Sequence, residues 1–179
     1  MYKQEIESRT DVVSLRLPVE RLEHLRKEAS SRKVSLNVLA NHILDAYFDF
    51  ALPAKNVGFI ALPKKTLRDM LALFNEAQLF KLAQGQFKSE FVDLVYMLKG
   101  KFTLQSYLNT FLAWARDSNF TYRDSYEGNI RAITLHHNMG KKWSFLLCES
   151  ISSMIKDIAM DAKFEVRDDV LVLRFKQDA

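Results

Sequence analysis

The sequence predicts an α+β protein with a small N-terminal strand-helix-helix module and a larger mixed domain that ends in a β-hairpin. Three patterns lead to this fold class. Residues 12–17 alternate like a strand, residues 18–51 carry two helical apolar stripes, and residues 164–175 alternate on both sides of Asp168-Asp169. A chain of 179 residues accommodates one small module and one domain of roughly 120 residues.

The predicted N-terminal strand has two chemically different sides. One side is apolar and consists of Val13, Leu15 and Leu17. The other side is mixed and consists of Val12, Ser14 and Arg16. This period of two is typical of a strand that buries one face and exposes the other.

Two helices are predicted after the strand. Pro18 ends the strand and suits the first turn of a helix, where its missing N–H is not needed. A polar break around Arg32 and Lys33 separates the two helices. Ser35 is a natural N-cap for the second helix, which ends near Pro53. The apolar positions of that helix predict a broad buried face.

Such a module is unstable as a single copy. A lone strand has no partner for its backbone N–H and C=O groups, and two short helices bury too little apolar surface. Pairing two chains would solve both problems, because the strands would form an antiparallel ribbon above a shared helical core. A two-stranded ribbon also fits the major groove of B-DNA.

The segment Val13-Ser14-Leu15-Arg16-Leu17-Pro18, followed by a helix, a break and a capped helix, resembles the Arc/MetJ/CopG ribbon-helix-helix family. The resemblance covers about residues 10–50. It implies a sequence-specific, prokaryotic-type transcriptional regulator, typically a repressor, which binds double-stranded DNA as a homodimer or a higher even oligomer. It implies DNA contacts from Val12, Ser14 and Arg16 and from the start of the second helix at Ser35, Leu36 and Asn37. Arg32 and Lys33 are candidates for phosphate contacts.

The remaining chain is predicted to form a linker and a second domain. Residues 1–51 form the DNA-binding and dimerisation module, 52–58 the linker, and 59–179 an α+β domain for oligomerisation, effector sensing or partner contact. Within that domain, Thr103 is a predicted cap for a helix over 104–117, and residues 130–136 alternate like a strand. Gly140 precedes a long helix.

The junction between that strand and that helix is the candidate ligand site. Its residues are His136, His137, Lys141 and Lys142, which are candidates for binding a small anionic effector at a helix N-terminus. Adjacent strand residues point to opposite faces, so the two histidines are not expected to share one metal ion. We therefore expect no metal and no cofactor. No phosphate-binding loop, metalloprotease motif or nucleophile elbow is present, so we expect no enzyme activity.

Composition limits the remaining possibilities. Apolar residues make up 48% of the chain, so a true core is expected. The net charge of +4 is spread over both halves and does not by itself locate a DNA-binding region. A single cysteine, Cys148, excludes an internal disulfide. The polar N-terminus lacks a signal peptide, and no window is apolar enough for a membrane span, so a soluble, cytoplasmic protein is expected.

Two alternatives remain at this stage. The chain could be the antitoxin of a toxin-antitoxin pair, with its C-terminal region covering the toxin, although that region is large and patterned for its own core. It could also be a dimeric ligand-binding or scaffold protein that uses the N-terminal module only for dimerisation.

Overall fold

The computed structural model describes residues 10–157 and 161–176. Two compact units make up the chain, one ending at Ile43 and the other beginning at Leu44, and each is described by itself below. Residues 1–9 of the predicted N-terminal module lie outside the described residues, as do 158–160 and 177–179 of the predicted second domain.

The predicted ribbon-helix-helix fold class is wrong, because the described part of the N-terminal segment contains no strand. Residues 10–18 have no regular secondary structure, and the first element of the described chain is a helix. The described strands all belong to one four-stranded sheet that begins at Thr121, after the helices of the first two thirds of the chain. Alternation shows which side chains share a side, but a strand also needs a hydrogen-bonded partner. The fold is α+β with its sheet towards the C-terminus.

The first unit contains helix α1, Val19–Ser31, and the start of helix α2, Leu36–Ala46. Lys33 ends the first helix in the left-handed conformation, with φ 56°, and the N–H of Val34 returns to the carbonyl of Ala29 at 3.0 Å. Such a stop is common at helix C-termini, although glycine is the usual residue there. Ser35 caps the second helix as predicted, because its Oγ accepts from the Val38 N–H at 3.2 Å.

The second unit is mainly helical before its sheet. Its helices are α3 Leu52–Asn56, α4 Lys64–Ala72, α5 Glu76–Leu82, α6 Lys88–Lys99, α7 Leu104–Asp117 and α8 Lys141–Asp157. Two wider π-helical turns, Tyr47–Ala51 and Ala83–Phe87, precede α3 and α6. The segment predicted as a linker, 52–58, thus contains α3. None of the helices within the described ranges is long and apolar enough to cross a membrane.

Helix α7 begins as the sequence predicts. The Thr103 Oγ1 accepts from the Ser106 N–H at 3.2 Å, and the Ser106 Oγ accepts from the Thr103 N–H at 2.8 Å. This reciprocal capping box satisfies two N–H groups that a helix start otherwise leaves unpaired. The inward side of α7 then places Tyr107, Leu108 and Phe111 in the core of the second unit.

The sheet consists of β1 Thr121–Glu127, β2 Ile130–His136, β3 Ala162–Val166 and β4 Val170–Lys176, in the order β1-β2-β4-β3. All three pairings are antiparallel, so the predicted strand over 130–136 and the closing hairpin are both present. Ile133 lies opposite Leu173, and Leu135 lies opposite Leu171. All four are buried, and α8 packs against β3 and β4.

A largely buried charged pair joins β1 and β2 of this sheet. Arg131 is only 5% exposed, and its guanidinium bonds Asp124 on the neighbouring strand in two places, Nε to Oδ1 at 3.0 Å and Nη2 to Oδ2 at 2.7 Å. These hydrogen bonds to Asp124 raise the pKa of Arg131 above its ordinary value. These two hydrogen bonds offset the cost of burying the guanidinium, which would be high without a charged partner.

Candidate functional site

The three candidate DNA-contacting residues of the N-terminal segment are all exposed. Val12, Ser14 and Arg16 lie in the irregular stretch that precedes α1. The apolar residues between them are exposed as well, with Val13 at 78% and Leu15 at 75%. The apolar side and the mixed side that the sequence predicts for this segment are therefore both exposed to solvent.

The break between α1 and α2 holds the other candidate DNA contacts. Arg32 pairs with Glu28 one turn earlier, Nη2 to Oε1 at 2.6 Å, while Lys33 is exposed. At the start of α2, Asn37 is exposed and Leu36 is half-buried. The first N–H groups of a helix lack an intrahelical acceptor and attract anions. The break therefore combines a cationic side chain with a helix N-terminus.

The two histidines of the candidate ligand site differ in exposure. His136 is exposed at the end of β2, whereas His137 is fully buried. The His137 Nδ1 accepts from the Met139 N–H at 3.0 Å, which places the ring proton on Nε2. That Nε2–H donates to the Ser144 Oγ at 2.7 Å.

Ser144 adds a further hydrogen bond to this chain in the protein interior. Its hydroxyl is fully buried and donates to the carbonyl of Asp168 at 3.2 Å. A catalytic serine requires the opposite direction, with its hydroxyl donating to an unprotonated histidine nitrogen. The pair holds the start of α8 against the β3–β4 turn and does not form an activated nucleophile.

Asp169, in the same turn, forms two hydrogen bonds with the junction between β2 and α8. The carbonyl of Asp169 accepts from the His137 N–H at 3.0 Å, and its Oδ1 accepts from the Gly140 N–H at 2.8 Å. The pKa of His137 is lowered to about 4, mainly by burial; Asp169 opposes this shift, and the nearby Lys64 and His136 contribute to it. His137 is thus a neutral structural group at neutral pH.

The two lysines of the candidate ligand site also differ. Lys141 is exposed at the start of α8. The ammonium of Lys142 donates to the carbonyls of Ala72 and Phe74, both at 2.6 Å, where α4 ends. A cation that bonds the last carbonyls of a helix satisfies groups that have no intrahelical donor.

We expect Lys142→Met to lower the free energy of unfolding by about 1–2 kcal/mol, because two carbonyls lose a charged donor. Urea unfolding followed by circular dichroism measures the change. Lys141→Met is the matched control, since the Lys141 side chain at the neighbouring position is exposed. Its free energy of unfolding should stay within about 0.5 kcal/mol of the parent value. Equal effects from both substitutions would contradict the bridging role of Lys142.

No group of three or more His, Cys, Asp and Glu side chains that could hold a metal ion is found in the described parts of the chain. The four residues of the candidate ligand site accordingly do not converge on one point. His137 and Lys142 bond neighbouring elements, while His136 and Lys141 are exposed.

A site that the sequence does not reveal lies in the second unit. A cavity of about 430 Å³ is lined mainly by apolar and aromatic side chains, among them Phe59, Trp114, Phe120 and Trp143. A smaller cavity of about 90 Å³ shares Phe59 and Trp114 with it and is also lined by Tyr107. In the sequence these residues read only as core-facing positions, because nothing local indicates that the space between them stays open.

The chain matches no protein-family model, no curated protein and no solved structure. Two regions are suited to binding: the exposed N-terminal segment with the nearby break, and the aromatic cavity of the second unit.

Proposed function

We propose that this protein is a DNA-binding transcriptional regulator that acts as a dimer. The observation that carries the proposal is the exposed segment before α1, in which Ser14 and Arg16 alternate with uncovered apolar side chains. Arginine is well suited to DNA because its planar fork bonds guanine or phosphate at two points. The proposal assigns no catalytic step to the chain.

The dimer is supported by uncovered apolar surface in the first unit. Leu15 is 75% exposed and Leu17 is 42% exposed in the segment, and Ile43 on α2 is 48% exposed. Several large apolar side chains left exposed in a unit of this size favour a surface that a partner covers. A second copy of the chain presents the same residues, and a two-fold interface is self-complementary.

Phosphate contacts are the second part of the proposal. Lys33 is exposed beside the N-terminus of α2, where the Ser35 Oγ caps the Val38 N–H. A helix N-terminus attracts anions. Arg32 is partly neutralised by Glu28, so Lys33 contributes more of the local positive charge. These groups would position the protein on the duplex without reading sequence.

Selection of bound duplexes from a random pool with the full chain tests the function. A short, two-fold symmetric motif should be enriched at moderate salt, because a symmetric dimer reads two equivalent half-sites. Light scattering should show a dimer for the parent chain and a monomer for Leu15→Asp. Absence of any enriched motif would refute the regulator, and a monomeric parent that still binds would refute the dimer.

We expect Arg16→Ala to weaken binding to the selected duplex by about 1–3 kcal/mol, or roughly 5- to 150-fold, and to relax the preference at one base pair. Fluorescence anisotropy on the motif and its single-base variants measures both effects. Arg123→Ala, in the exposed part of β1, is the matched control and should leave affinity unchanged.

The substitution Lys33→Asn tests whether Lys33 contacts a phosphate or a base. Asparagine tolerates the left-handed backbone that Lys33 adopts, so the substitution removes charge without straining the break. Affinity should fall equally for all duplexes, and the dependence on salt should become shallower. A change in base preference with this variant would show that Lys33 reads bases instead.

A further inference from the structure

The larger cavity of the second unit is open to solvent and has the size of a small-molecule site. Its volume of about 430 Å³ lies within the roughly 300–1,000 Å³ that is usual for ligand pockets. The end of α3, the start of α4, the end of α7 and the start of α8 contribute to its lining. Lys55 and Asp117 belong to this lining and are exposed, so they mark its rim.

Most of the wall is apolar. Phe120 and Trp143 are buried, and the Trp143 ring lies 6.3 Å from Trp114 and 6.4 Å from Phe120, measured between ring centroids. Leu67 and Met139 add aliphatic surface. An apolar body that enters such a space removes apolar surface from water, and aromatic walls pack well against another ring. The interior of the cavity therefore favours a flat, apolar group.

Lys64 places a cation at the rim of the cavity. Its ammonium lies 4.4 Å from the centroid of the Phe120 ring and donates to the carbonyl of Asn119 at 2.8 Å. Phe120 and Asn119 both belong to the lining, so these two contacts hold the ammonium beside the cavity. The hydrogen bond to Asn119 is exposed, so a bound molecule can reach the ammonium. A lysine ammonium has three N–H donors, and this bond uses one of them.

The charged side chains of the lining do not balance. Lys55, Lys64 and Asp117 carry two positive charges and one negative charge, which leaves a surplus of one positive charge. The ion pairs found among the described residues include none of these three. Lys64 is half-buried beside the apolar wall, where an opposite charge interacts with it more strongly than in water. The rim therefore favours a ligand with a single negative charge.

We propose that this cavity binds an aromatic carboxylate, with its ring against the apolar wall and its carboxylate at the Lys64 ammonium. The ammonium offers its remaining N–H donors, and hydrogen bonds between ionised partners are stronger than those between neutral groups. A carboxylate balances the single surplus charge, whereas a phosphate monoester would bring close to two negative charges. The lining residues all belong to the second unit and include none of those proposed to contact DNA, so the site can be tested without DNA.

The probes 2-naphthoate and 2-naphthamide form a matched pair, because they share their size and shape and differ in charge at neutral pH. Isothermal titration calorimetry with the full chain measures the affinity of each probe. The carboxylate probe should bind roughly 10-fold more tightly than the amide, because only the carboxylate forms a hydrogen bond between two ionised groups. The proposal is overturned if neither probe binds the parent chain up to about 1 mM, or if both bind equally.

Two variants test whether Lys64 causes the preference. Lys64→Gln keeps an amide that can donate to the Asn119 carbonyl but removes the charge, so it should bind both probes equally. Lys65→Gln is the matched control and should retain the preference, since Lys65 is exposed, pairs with Asp69 and is not among the lining residues. Binding of 2-naphthamide shows that a variant keeps its cavity. A preference that survives Lys64→Gln would also overturn the proposal. Because the parent chain alone decides the first two outcomes, poor folding of a variant does not obscure them.

Discussion

Acidification from pH 7 to pH 4 is expected to remove about 3 kcal/mol of folding free energy through His137 alone. The folded pKa is about 4, against 6.5 for the unperturbed group, and burial is the largest cause. Above pH 6.5 the residue is neutral in both states, and its contribution is complete. As the pH falls, the unfolded chain gains the proton first, so the free energy of unfolding decreases until the folded pKa is reached.

Urea unfolding at several pH values between 7.5 and 4 measures this dependence. His137→Gln cannot titrate but keeps an amide that can donate to Ser144, so its stability should vary much less over this range. His136→Gln is the matched control, since His136 is exposed at the adjacent position, and it should retain the full slope. Equal slopes for the parent and His137→Gln would show that another group causes the acid sensitivity.

Leu108→Ala is expected to lower the free energy of unfolding by about 2–5 kcal/mol. Leu108 has no exposed surface and lies on the inward side of α7, within the core of the second unit. The substitution removes buried methyl groups and leaves a cavity that close-packed neighbours fill only in part. Chemical unfolding at neutral pH measures the loss.

Leu73→Ala is the control for this substitution, because it makes the same chemical change at a side chain that is 85% exposed. Its effect should lie within about 0.5 kcal/mol of zero. A similar loss for both variants would mean that burial of Leu108 does not determine its contribution to stability.

Several elements follow from local sequence patterns. The helix over 104–117 and its Thr103 cap, the strand over 130–136 and the closing hairpin are all present in the structure. Helical spacing, alternation and capping involve residues that are close in the chain, so their pattern is visible without tertiary contacts. The Ser35 cap is predictable for the same reason.

The N-terminal strand is the clearest error, and its cause is physical. The alternation at residues 12–17 separates an apolar set from a mixed set in the sequence, but a strand exists only when a second strand completes its hydrogen bonds. In the described part of the chain the four strands from Thr121 onward pair with one another, and residues 10–18 remain irregular. DNA binding and dimerisation remain proposals that rest on exposed side chains.

The sequence alone determined the helix caps, the alternating strands and the exposed basic residues Arg16 and Lys33, because these depend on neighbours in the chain. Only the tertiary structure decided the roles of His137 and Lys142, since their partners Asp169, Ala72 and Phe74 lie far away in sequence. It also decided the aromatic cavity, because an unfilled space between helices arises only when distant segments pack together.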